Sequence, residues 1–139
     1  MSMKKTAKVY QKPTDYFSDF PQWPTHWGGT DDDLAIGQGL LTWFEPFIAT
    51  LINDGRAVKT ITQHMANLTI LGAEIVQRLN DDDESRRTLS PRALLLAYVS
   101  EEGGPLVHAW DPNDRIEEAY QKSFDATCRQ LFKFVSVSK

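Results

Sequence analysis

The stretch VKTITQHMANLTILGAEIVQRL, residues 58–79, decides the fold. Ile61, Met65, Leu68, Leu71 or Gly72, Ile75 and Leu79 recur at intervals of three and four. That is the repeat of an α-helix with one apolar side. Such a stripe must be buried against other elements. Ala66, Gly72 and Ala73 are small enough to let a second helix approach closely.

Upstream, Thr30 followed by Asp33 has the pattern of a capping box, and Asp31, Asp32 and Asp33 sit where a helix dipole is positive. Ile36, Leu40, Trp43, Phe44, Phe47, Ile48 and Leu51 then form a second helical stripe. Pro46 lies inside it, removes one amide donor and crowds the carbonyl of Thr42, which predicts a kink or break near Glu45. Gly55 marks the end.

Downstream, residues 80–89 (NDDDESRRTL) read as a charged, solvated linker. Ser90–Pro91 combines an N-cap with proline at the first helical position, opening a short helix through about Ser100. Gly103–Gly104 stops it. After a loop holding Leu106, Val107 and Trp110, Asp111–Pro112 repeats the same device. The final helix places Ile116, Tyr120, Phe124, Cys128, Leu131 and Val135 on one face, with Lys122, Arg129 and Lys133 mostly off it.

Residues 1–30 differ in kind. Pro13, Pro21, Pro24, Gly28 and Gly29 interrupt helix formation, while Tyr10, Tyr16, Phe17, Phe20, Trp23 and Trp27 are too aromatic for a solvated tail. The segment reads as an extended arm, packed on or tethered to the domain. The expected fold is therefore all-α: an orthogonal bundle of four to five helices over residues 31–139, preceded by the aromatic arm over residues 1–30.

With 139 residues, 41% hydrophobic and 11% aromatic, the chain has the size and apolar content of one domain, able to bury on the order of two-thirds of its unfolded surface. No apolar run approaches the roughly 20 residues of a membrane span. The basic start MSMKKTAKVY is not followed by the apolar run of a secretory signal. Cys128 is the single cysteine, which excludes an internal disulfide. These features are those expected of a cytoplasmic chain with no membrane partner.

The net charge of -4 arises from 15 basic and 19 acidic residues, which works against non-specific nucleic-acid binding. The charges are unevenly placed. Lys4, Lys5, Lys8 and Lys12 make the arm basic, residues 31–54 carry five acids and no base, and the last 21 residues carry four bases and one acid.

Catalytic signatures are not found. His26, His64 and His108 are widely spaced, without H-x-x-H, H-E-x-x-H or C-x-x-C patterns. Cys128 falls on an apolar stripe, the place of a buried filler rather than a nucleophile. The acidic runs at 31–33 and 81–84 lack the glycine and distal glutamate of a calcium loop. Gly103–Gly104–Pro105 lacks the spacing and lysine of a phosphate loop. No cofactor, metal or enzymatic activity is expected.

Residues 40–79, with Lys59-Thr60-Ile61 opening the second helix and His64, Leu68 and Leu71 following, together with residues 124–134 (FDATCRQLFKF), resemble the N-terminal core-binding domain of tyrosine recombinases (phage integrases), a SAM-like helical bundle. The resemblance covers about half of the chain. It implies a module that clamps duplex DNA, with Lys59, Thr60, Gln63 and His64 at the DNA-facing helix start and Lys122, Arg129 and Lys133 on the last helix. The family's catalytic H-x-x-R is absent: the residues three positions after the histidines are Gly29, Asn67 and Asp111. The family domain is also usually basic, and this chain is acidic.

Two functional readings follow. The first is a non-catalytic interaction module that binds a protein partner or a second copy of itself, with Tyr16, Phe17, Phe20, Trp23 and Trp27 as the aromatic anchors interfaces favour. The alternative is a DNA-binding module resembling the recombinase core-binding domain.

Overall fold

A computed structural model describes residues 9–107 and 115–137. In chain order the elements are α1 (Pro13–Tyr16), a 3-10 turn (Phe20–Gln22), α2 (Trp23–Trp27), α3 (Asp31–Asn53), α4 (Val58–Asp81), a second 3-10 turn (Glu84–Thr88), α5 (Pro91–Tyr98) and α6 (Arg115–Val137). The chain is an all-α bundle. Lys4, Lys5, Lys8, His108, Trp110, the Asp111–Pro112 helix start and Lys139 lie outside the described residues.

Helix α4 buries Ile61, Met65, Leu68, Leu71, Gly72, Ile75 and Leu79, the full predicted stripe. On α6, Phe124, Cys128, Leu131 and Val135 are buried as expected, whereas Tyr120 is mostly exposed. The start of α3 is capped as its sequence implies, Thr30 Oγ1 accepting from the Asp33 amide at 3.0 Å. Ser90 Oγ does the same for Ala93 at the start of α5, at 3.2 Å. At the end of α3 the backbone of Gly55 turns to φ 74°, a left-handed conformation that favours glycine. There the Arg56 amide donates back to the Leu51 carbonyl at 3.2 Å, which closes the helix.

Pro46 does not break the first helix. Helix α3 runs unbroken from Asp31 to Asn53. An interior proline costs about 3 kcal/mol. Leu40, Phe44, Phe47, Ile48 and Leu51 are all buried along the same helix, each contributing roughly 1.5–3 kcal/mol. Burial on both sides of the proline therefore outweighs the lost hydrogen bond. By length and composition α3 could also cross a membrane. Here its apolar stripe is turned into the core.

Residues 13–27 are mostly helical rather than extended. Their prolines open short helices, Pro13 at the first position of α1 and Pro24 within the first turn of α2, where a missing amide is harmless. Phe20, Trp23 and Trp27 belong to the same buried cluster as α3 and α4. Trp27 fills the space that Gly72 leaves on α4. It also donates from Nε1 to Thr69 Oγ1 at 3.4 Å. The small residue of α4 is thus met by an indole from the arm, not by another long helix.

The linker at 80–89 is more than a solvated loop. Arg87 bonds the Asp32 and Asp33 carboxylates and the Asn80 side chain, and the Tyr98 hydroxyl donates to Asp83 at 2.7 Å. Asp33 is buried, and burial alone would raise its pKa. Hydrogen bonds from Arg87 and Asn80 win, and its carboxyl is held below the ordinary value.

Candidate interaction surface

Helices α4 and α6 are joined by a polar seam inside otherwise apolar packing. His64 Nδ1 lies 2.7 Å from Thr127 Oγ1. Asn67 Nδ2 donates to Thr127 Oγ1 at 2.8 Å and to Ser123 Oγ at 3.1 Å. Gln63 Nε2 donates to Asn67 Oδ1 at 3.3 Å. Gln130 Nε2 stands 3.5 Å from His64 Nε2. One arrangement of protons satisfies the seam. In it Gln130 donates to a neutral His64, whose Nδ1–H donates to Thr127, whose hydroxyl donates on to the Ser123 carbonyl at 3.5 Å.

His64 is 8% exposed. Burial, with the charge of Arg56 added, pushes its pKa below the ordinary histidine value. A protonated ring would present a second N–H to the Gln130 amide, which is already a donor. Thr127 is 1% exposed, and its hydroxyl is fully engaged. The pair has the elements of a base and a hydroxyl, yet it is a buried structural contact. Cys128 is buried as well, and burial pushes its thiol strongly upward, disfavouring the nucleophilic thiolate. Among the described residues no group of three or more His, Cys, Asp or Glu is placed to hold a metal ion.

The DNA-facing residues expected from the resemblance divide. Lys59, Thr60, Gln63, Lys122, Arg129 and Lys133 are exposed, while His64 is buried in the seam. The contacts 67–123 and 64–130 show that α4 and α6 run antiparallel, so the start of α4 lies toward Arg129 and Lys133. Spacings of seven and four place Lys122, Arg129 and Lys133 on one stripe of α6.

The five aromatic residues expected as interface anchors are used internally. Phe20, Trp23 and Trp27 are buried, and Tyr16 and Phe17 are half-buried against the core. Phe17 and Phe20 pack edge-on to Trp23 at 5.7 and 4.8 Å between ring centres. Composition could not separate rings that cover this core from rings that await a partner.

A surface feature not evident from sequence lies where the ends of α3 and α6 meet. A groove of about 620 Å³ runs between them, its apolar part formed by Phe47, Leu51, Phe134 and Val137. Its rim is polar: Thr50 from α3, Asp54 and Arg56 from the turn that follows, and Gln130 and Lys133 from α6. Phe134 is held by Trp43 and Phe47, with ring centres 6.3 and 5.7 Å away. Val137 remains 76% exposed. Gln130 faces both the groove and His64, so the groove's wall is the outer side of the polar seam. Compared with family models, characterised proteins and solved structures, the chain matches none of them.

Proposed function

We propose that this chain is a non-catalytic helical interaction module that binds a protein partner through the groove between the ends of α3 and α6. The observation that carries the reading is an apolar patch, the half-buried Phe134 and the exposed Val137 lying over the buried Phe47 and Leu51, set between two helices and ringed by polar and charged side chains. Protein interfaces have that anatomy, an apolar centre containing aromatic residues within a polar rim. The burial of Phe20, Trp23 and Trp27 moves the candidate interface from the arm to this groove.

The test is site-specific photo-crosslinking in living cells. A photoreactive side chain at Thr50, on the groove rim, is expected to trap a discrete partner, and one at Thr25, exposed on α2, is not. Excess unlabelled chain should compete, while its Val137→Asp variant competes poorly. Identical adducts from both positions would contradict the reading.

A second reading is favoured by one observation, the exposed stripe Lys122, Arg129 and Lys133 with Lys59 at the adjoining helix start. Lysine and arginine in that position would contact phosphates and give affinity without sequence reading. Duplex DNA would then be retarded at about 50 mM salt, less so with Lys59→Ala plus Arg129→Ala, and steeply less as salt rises. No shift at low salt removes this reading. The acidic residues elsewhere and the net charge of -4 place it second.

A further inference from the structure

The two helices that form the groove constrain what fits it. The lining spans residues 47–54 at the end of α3 and its cap and 130–137 on α6, about 10 Å of helix on each side. Among the described residues no strand edge is present to extend. A helix of two to three turns, with apolar residues at i, i+3 or i+4 and i+7, matches that length and that apolar patch.

The charges select the occupant's sign. Arg56 and Lys133 stand on the rim against a single acid, Asp54, and Arg129 lies one turn from Lys133 on the exposed side of α6. Just beyond Arg56, the residue before α4 is Ala57, whose methyl cannot cap the helix. The positive potential of the first amides of α4 is offset by the carbonyl ends of α3 and α6 at the groove, so the sign rests on Arg56, Lys133 and Arg129. The patch is apolar and the surrounding side chains are on balance positive.

We infer that the groove takes an acidic amphipathic helix of a partner protein, with its apolar side on Phe134 and Val137 and its carboxylates toward Arg56 and Lys133. This rests on the protein-docking reading above and adds the chemistry of the partner. The surface is small beside the roughly 800 Å² per partner of a standard interface, so the association is weak and readily reversed. Charge then acts mainly on encounter and on the choice between partners.

The experiment uses the isotope-labelled full chain and two synthetic helical peptides that share one apolar stripe. One carries glutamates on its polar side and the other lysines. The glutamate peptide should shift the resonances of Leu51, Gln130 and Phe134 and bind about tenfold more tightly than the lysine peptide. Arg56→Glu combined with Lys133→Glu should reverse the preference, and both positions are exposed, so the fold is retained. Equal affinity for the two peptides overturns the acidic assignment and leaves the docking reading standing. Shifts from neither peptide overturn the docking reading itself. The same shifts appearing with protein concentration alone would identify a second copy as the occupant and overturn the assignment to a partner.

Discussion

The indole of Trp27 occupies the space that a side chain at residue 72 would fill, so the N-terminal segment is keyed into the middle of α4. Gly72→Ala tests this contact. Alanine favours a helix interior over glycine by about 1 kcal/mol. Overpacking typically costs about 1–3 kcal/mol and occasionally more. Here the added methyl meets a ring that Gly37 and Phe44 also confine. Net destabilisation of about 1–2 kcal/mol is expected in denaturant unfolding. Gly29→Ala, with open space around it, should be near neutral.

His64 gives a stability change near neutral pH. Its folded pKa is below the ordinary value of 6.5, so the unfolded chain takes up the proton first. The seam's contribution is therefore full above pH 6.5 and is lost as pH falls from there through the lower folded value. Melting temperature should decline over that window in the parent protein and decline less in His64→Gln. Equal slopes for the two proteins would show that His64 is not the group responsible.

The clamp on the linker makes a separate prediction in acid. Asp33 has its carboxyl held below the ordinary 3.8. Its stabilisation is present above that pH and disappears as pH falls through the depressed folded value. Arg87→Ala should destabilise the fold by about 2 kcal/mol at neutral pH, since it leaves the buried Asp33 with fewer partners. Its stability should also vary less with acidification. Asp32, an exposed partner of the same arginine, should matter little when changed to Asn.

The sequence patterns that proved legible were those with a local cause. The stripe on α4, the caps at Thr30 and Ser90 and the stop at Gly55 each follow from a few neighbouring residues, and each is found where the pattern puts it. Pro46 produces no break because its local penalty is set against burial along the whole of α3. Residues 13–27 misled because prolines at helix starts look the same in sequence as prolines in an extended arm.

The site was less legible than the fold. Thr127 and Asn67 form the seam with His64, and their only sequence signal is a polar residue on the inward side of a helix. The α3–α6 groove has no local signal at all. It exists because two helix ends, more than 75 residues apart in the chain, come together with Phe47 and Phe134 between them.

Removing residues 1–29 tests most directly whether the arm is core or a free binding element. Phe20, Trp23 and Trp27 are buried, and losing each is worth about 3–5 kcal/mol, together comparable to the whole stability of a domain, about 5–15 kcal/mol. Followed by circular dichroism through a denaturant titration, the truncated chain should lose its cooperative transition. A truncated chain that unfolds as sharply as the full one would contradict the account and return the aromatic residues to the role of a detachable interface.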